Sequence, residues 1–413
     1  MRRKRMFNPI RMPYSSDKVI NFCITVLVFF GLIMITSASM GIAVGDNPYL
    51  IKTVIKQIIF SIGGYIAMVF MAKQFKFHIL KRDVMLLIIV TGILLLVPLA
   101  FDAVSGAKAW IRLPFPGIEV TIQPSEFAKI SIICIIAAYM GDLTSYFDRP
   151  TDIVKVPITA SLFYVFLVIV LQGDFGSGAV MFAIAAICFL IPKHPQIKKY
   201  QVILFGFILL GIVSVLFVLS PVGEGLVELL PLQRFQKNRI LSSINPFVDR
   251  YDTGYQLING LISFASGGFW GVGFGNSVRK YTNFPAANTD FILAIVVEEL
   301  GFFGFLIIFG CYFFIIIRLF KYAFLIKSEK GQIVLVGTAM YILIHFVLNV
   351  GGVTGLIPLT GVPLLMISAG GSSTMSMMMA IGLSQAVISQ YNTGLLKWLK
   401  LLQENMVLEI SKH

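Results

Sequence analysis

The sequence predicts an all-α integral membrane protein of about ten transmembrane helices, with both termini cytoplasmic and a large outer loop between helices seven and eight. Three observations carry this. Only 13% of the 413 residues are charged and 57% are hydrophobic, with a mean hydropathy of +0.87; a soluble domain would carry about 25% charged residues. Apolar runs of spanning length, roughly 17–25 residues, recur from end to end. Lys and Arg are shared unequally between alternate connecting segments.

The apolar runs place spans near 19–40, 51–72, 83–101, 124–141, 155–171, 174–191, 202–220, 290–317, 332–352 and 372–391. The basic "MRRKR" start resembles that of a signal peptide, and "SAS" at 37–39 could pass for a cleavage site. The run from Val19 to Ile35 is long for a signal core, so it is taken as an uncleaved first span. A tight turn at Gln172–Gly173 separates spans five and six. Neither a soluble domain nor an internal repeat interrupts the pattern. The expectation is one polytopic membrane domain over 1–413, with cytoplasmic tails at 1–18 and 392–413 and an extracytoplasmic loop at 221–289.

With the N-terminus in the cytoplasm, Arg2, Arg3, Lys4, Arg5 and Arg11 face inward, as do Lys73, Lys76, Lys81 and Arg82. Lys193, Lys198, Lys199, Arg318, Lys321, Lys327, Lys330, Lys397 and Lys400 fall on the same side. This bias follows the positive-inside rule. It accounts for much of the formal net charge of +13 without a nucleic-acid partner. The exception is the 221–289 loop, with Arg234, Lys237, Arg239, Arg250, Arg279 and Lys280. Long loops translocate regardless of charge, and a basic outer loop suits an anionic ligand at the outer leaflet.

Cys23, Cys134, Cys188 and Cys311 all lie inside apolar runs, which argues against a disulfide framework or a zinc site. The loop segment "LISFASGGFWGVGFGNSVRKY" is apolar and glycine-dense. "GVGFGNS" lacks the Lys-Ser/Thr ending of a phosphate loop. Its glycines therefore read as tight turns in re-entrant or amphipathic elements packed on the bundle.

The acids in "NFPAANTDFILAIVVEELGFFG" stand out, because an ionised carboxylate in hydrocarbon is costly without a partner or a wet cavity. Residue type leaves Asp290 open between a helix cap and an acid–base group. Glu298 lies eight residues on, about 12 Å deeper at 1.5 Å per residue, too far to share a proton with Asp290 directly. In "QPSEFAK", Pro124 fits a first helical turn. Glu126 and Lys129, three apart, share a face; they form either an internal ion pair or part of a polar cavity. Trp110 fits the aromatic belt of a membrane interface.

Four stretches together resemble the SEDS family (shape, elongation, division and sporulation), whose members include FtsW and RodA. They are "GAKAWIRL…IQPSEFAK" at 106–129, "LQGDFGSGAV" at 171–180, the segment from "NPFVDRYDTGYQLING" to "EELGFFG" at 245–304, and "NVGGVTGLIPLTGVPLLMISAGGSS" at 349–373. The resemblance covers nearly the whole chain, in order, and "GNSVRKY" is nearer to FtsW, the division branch. It implies a peptidoglycan glycosyltransferase that polymerises glycan strands from lipid II on the outer face of the cytoplasmic membrane. The leaving group would be polyprenyl diphosphate, and the partner a class B penicillin-binding protein.

In that reading Asp290 matches the family's essential aspartate and is the general base. Trp110 matches a functional tryptophan, and Arg112, Arg239 and Lys280 are candidates for the substrate diphosphate. Glu126 and Lys129 shape the substrate cavity. A divalent cation, Mg or Mn, is a further candidate for neutralising the diphosphate, although no carboxylate cluster marks its site. Several positions depart from the family pattern. Ala109 replaces a common Arg, Gly173 a Pro, Ala286 a Glu and Asn288, directly before Thr-Asp, a His. Leu365 and Ala369 replace a Pro and a Tyr. Two other classes are a lipid-linked precursor flippase and a scaffold that recruits a transpeptidase. A flippase usually shows repeated halves with midplane polar sites, and a scaffold has no need of Asp290.

Overall fold

The computed structural model describes residues 11–410 except 45–46, 105, 116–117, 219, 221–222, 224, 226, 228–233, 248–252 and 283. Arg2, Arg3, Lys4, Arg5 and Arg250 lie outside the described residues, as do the side chains of Arg234, Lys397 and Lys400.

The fold is helical, and each predicted span falls on a helix. The helices are α1 Lys18–Ile42, α2 Asn47–Gln74, α3 Phe77–Leu96, α4 Pro124–Met140, α5 Thr151–Phe166, α6 Phe175–Phe189 and α7 Lys198–Val218. Then come α8 Arg234–Ile244, α9 Thr253–Gly267, α10 Ile292–Leu325, α11 Glu329–Val353 and α12 Gly371–Ile410. Seven of these, α1, α2, α3, α5, α7, α10 and α11, are long and apolar enough to cross a membrane by length and composition. Helix α4 is the hub: nearly all its residues are buried, and it packs on α3, α5, α6 and α11. Helices α2 and α12 form another extensive pair, whereas α7 buries no residue.

Helix starts follow local chemistry. Asp17 caps α1 by accepting from the Ile20 amide (2.9 Å), and Asp174 caps α6 by accepting from the Ser177 amide (3.0 Å). Each satisfies an amide with no partner inside its helix. Pro124 occupies the first turn of α4, as expected.

Three features differ from the sequence expectation. The segment after α3 forms an antiparallel hairpin, β1 Ile111–Phe115 with β2 Ile118–Ile122, in which Arg112 faces Thr121. The 221–289 segment, expected as a large loop, contains the helices α8 and α9. The latter lies along α10, so close that a Cβ on Gly267 would come within 1.9 Å of the Val297 carbonyl oxygen. The expected tail after 391 continues α12 to Ile410.

Helix α10 is interrupted at Gly301, whose φ of 68° and ψ of −169° are non-helical. The Phe302 and Phe303 amides leave the helical ladder and donate to the carbonyls of Gly268 (2.9 Å) and Phe269 (3.2 Å). A Cβ on Gly301 would lie 2.2 Å from the Phe269 carbonyl oxygen, so only glycine fits. The glycine-dense segment is thus a backbone splint across a broken helix.

Candidate functional site

Asp290 sits on the last turn before α10. That turn is set by Ala286, whose carbonyl accepts from the amides of Thr289 (3.0 Å) and Phe291 (3.1 Å). Phe284 and Phe291 are buried against one another and anchor it, with ring centroids 5.4 Å apart. Helix α10 begins at Ile292 with Phe291 at the cap position and no side-chain cap bond. Asp290 therefore does not cap the helix, which removes the capping alternative left open by residue type.

The half-buried Asp290 carboxylate instead faces a crevice built by three other parts of the chain. Gly361 in the α11–α12 connection presents a bare backbone, with φ at 71°. The position a Cβ would take there is 3.6 Å from Asp290 Oδ2 and 3.8 Å from an Arg239 guanidinium nitrogen. Arg239 comes from α8. Asp174, at the head of α6, is held by Gln123 Nε2 (2.8 Å) as well as by its cap bond. Burial pushes the Asp290 carboxyl up to about 7; Arg239 opposes that rise and Asp174 adds to it.

The hairpin segment docks at this end. The Lys108 amide donates to the Gln172 carbonyl (2.8 Å), and Gln172 Nε2 donates to the Leu95 carbonyl (2.6 Å). Trp110 and Arg112 are half-buried in it. The end therefore gathers Asp290, Arg239 and Asp174, with Trp110 and Arg112 on the docked segment. Asn288 points away: its amide donates to Ser39 Oγ (3.1 Å) and Tyr49 Oη (3.2 Å).

Glu126 and Lys129, at the start of α4, form a fully buried ion pair at 2.7 Å. Glu126 also accepts from Tyr341 Oη (2.7 Å), and Lys129 Nζ bonds His345 Nε2 (2.9 Å). The pair belongs to a polar core between α4, α11 and α12, closed by Ser376 at 2.9 Å from Tyr341 Oη.

Lys280, expected to face the diphosphate, does not: its ammonium is enclosed by Glu299 (2.8 Å), Ser37 Oγ (3.0 Å) and the Gly275 carbonyl (2.8 Å). A buried acid needs a buried base, and Glu299 takes this one. Glu298 accepts from Ser277 Oγ (2.6 Å), Ser263 Oγ (3.2 Å) and the amides of Val278 (3.2 Å) and Arg279 (3.4 Å). Both acids thus tie the glycine-dense segment to α10 and stand apart from the crevice.

Asp174, Gly361 and the α11 residues Tyr341, His345 and Asn349 are not marked by sequence as parts of this region. The last three recur every fourth residue in an apolar helix, and that spacing marks one face.

Among the described residues no three His, Cys, Asp or Glu side chains gather as a metal cage. Asp174 acts on Asp290 through its charge, and two carboxylates would hold Mg²⁺ only together with ligand oxygens.

This geometry defines a multi-pass membrane protein with a partly desolvated carboxylate beside an arginine at one end of its helical bundle. The family model described as cell cycle protein, covering FtsW, RodA and SpoVE, matches residues 17–393, and the chain belongs to that family. It is 32% identical over 384 residues to the probable peptidoglycan glycosyltransferase FtsW of Bacillus subtilis, covering 90% of each chain. It is also 32% identical over 377 residues to stage V sporulation protein E of the same organism, covering 89% of this chain and 95% of that one. Among solved structures, a chain of a peptidoglycan synthase complex that coordinates polymerization and crosslinking superposes with a TM-score of 0.69 at 22% identity, covering 91% and 98%. The rod shape determining protein RodA of Thermus thermophilus gives 0.61 at 20% identity, covering 91% and 97%. These two show the shared fold.

Proposed function

We propose that the protein is a peptidoglycan glycosyltransferase of cell division that polymerises lipid II at the outer face of the cytoplasmic membrane, with Asp290 as general base. The observation that carries this is the Asp290 carboxylate, half-buried beside Arg239 over the bare backbone of Gly361. The names of the relatives support it.

In this reaction a sugar hydroxyl of one lipid-linked substrate attacks the anomeric carbon of the other. Asp290 takes the hydroxyl proton as the new C–O bond forms. The bond between the anomeric carbon and the diphosphate breaks, and its electron pair leaves with the polyprenyl diphosphate. A base is most effective when its pKa lies near the working pH, and burial brings Asp290 to about 7. Arg239 supplies positive charge where the departing diphosphate develops negative charge. Arg112 and Trp110 are the candidates for holding the substrate from the docked segment. A divalent cation, if recruited, would be held by Asp290 or Asp174 together with diphosphate oxygens and would neutralise charge.

The inferred partner is a class B penicillin-binding protein, in keeping with the synthase complex that shares the fold. Glu126 and Lys129 bear on the site through His345, which bonds Lys129 and lies beside the Pro363 carbonyl. A flippase is the second reading; the crevice at one end, rather than a midplane site, weighs against it.

The decisive experiment supplies lipid II to the purified full chain with its penicillin-binding partner. Glycan polymer and released polyprenyl diphosphate are expected. Lipid II translocation across liposomes with no polymer would overturn the proposal.

A further inference from the structure

Asn349 lies on α11 with its side chain buried at 3% exposure. Its amide nitrogen has two hydrogens, and both are used. One goes to the Asp290 carbonyl at 2.8 Å and the other to the Val362 carbonyl at 3.0 Å. Two carbonyls accept and neither can donate, so the amide has only one possible orientation. Among the described residues its buried Oδ1 finds no hydrogen-bond partner.

The two carbonyls belong to the two backbone segments that define the crevice. Asp290 precedes α10, and Val362 follows Gly361, the residue against which the carboxylate rests. One turn earlier on the same face, His345 Nδ1 lies 3.4 Å from the Pro363 carbonyl while its Nε2 bonds Lys129. One helix face therefore clamps residues 362 and 363 and the Asp290 turn together. Resting on the general-base reading of Asp290, we infer that Asn349 is a positioning residue for the reaction: it fixes the depth and direction of the Asp290 carboxylate relative to Gly361 and Arg239 without touching substrate.

The consequence is separable from mere structural support. The charged groups acting on Asp290 are Arg239 from α8 and Asp174 from α6. Burial is the larger influence, and Asn349 maintains it. Releasing the turn hydrates the carboxylate and returns its titration toward the ordinary carboxylate range. Displacement of a reacting group by about 1 Å costs on the order of 10²-fold.

The test measures lipid II polymerisation against pH for the full chain with its partner, comparing the parent, Asn349→Ala, Asn349→Ser and Asp290→Asn. Serine keeps one donor and serves should the alanine variant unfold. The expected result is a kcat lower by about 10- to 100-fold, with KM little changed and the acid limb of the profile moved to lower pH. Serine should fall between alanine and parent. A folded Asn349 variant with an unmoved acid limb, or with its loss confined to KM, would overturn the inference while leaving the general-base reading intact. Parental polymerisation by Asp290→Asn would instead overturn that reading.

Discussion

The Asp290 carboxylate and the Arg239 guanidinium converge on Gly361, 3.6 Å and 3.8 Å from the position a side chain would occupy there. The three residues come from the α10 entry, α8 and the α11–α12 connection. Arg239 supplies charge, Gly361 leaves room, and Asp290 is left partly desolvated with a proton affinity near neutrality.

Because Asp290 makes no cap bond, Asp290→Asn and Asp290→Ala should behave alike. Both should lose polymerisation by roughly 10²–10⁴-fold, the usual contribution of a general base. Neither should show the ~0.5–2 kcal/mol loss that removing a cap produces. Polymer yield and thermal unfolding of both variants check this. Parental polymerisation by the Asn variant would exclude the carboxylate as base.

The pH profile follows from the same group. As a base, Asp290 works when deprotonated, so kcat/KM should rise through about pH 7 and level off above it. Stability should move the opposite way. The carboxyl binds its proton more tightly folded than unfolded, so its contribution is present at low pH and is lost as pH rises from the ordinary carboxylate range through about 7. Parental protein should therefore lose more melting temperature over that interval than Asp290→Asn. Parallel curves would refute this.

Gly361→Ala should impair both fold and reaction. The left-handed φ of 71° costs an L-residue about 1–2 kcal/mol, and the added methyl would stand in van der Waals contact with both Asp290 and Arg239. Unfolding temperature and polymerisation rate should both drop, with the rate reduced even where the protein is fully folded. An unchanged rate per folded molecule would show that the crevice tolerates the methyl.

Two buried ion pairs should respond differently to single and double changes. Lys280→Met strands Glu299, and Lys129→Met strands Glu126; breaking a buried pair costs about 3–5 kcal/mol. The doubles Lys280→Met with Glu299→Gln, and Lys129→Met with Glu126→Gln, should each be more stable than the lysine single. Thermal unfolding of the four variants tests this. The Lys280–Glu299 double should also keep near-parental polymerisation per folded molecule; a specific loss would return Lys280 to the reaction.

The helical membrane architecture was legible in the sequence, and each predicted span falls on a helix. In hydrocarbon each helix must satisfy its own backbone polar groups. Spanning segments therefore declare themselves as local apolar runs, and an acid at the mouth of one stands out. The sequence also exposed Glu126 and Lys129 as a pair, since three residues apart on a helix is a local relation. Partnership across the chain was not legible. Lys280 and Arg239 are both basic residues of one loop, yet one is enclosed by Glu299 and the other reaches Asp290. Their difference arises from the broken helix at Gly301 and from backbone approaches that only glycines 267 and 301 permit. Asp174 and Gly361 come to Asp290 from segments far apart in the chain, and Asn349 holds the Asp290 turn from α11. Only the packing of helices and their connections, where each buried donor and acceptor must find a partner, decides which side chains meet.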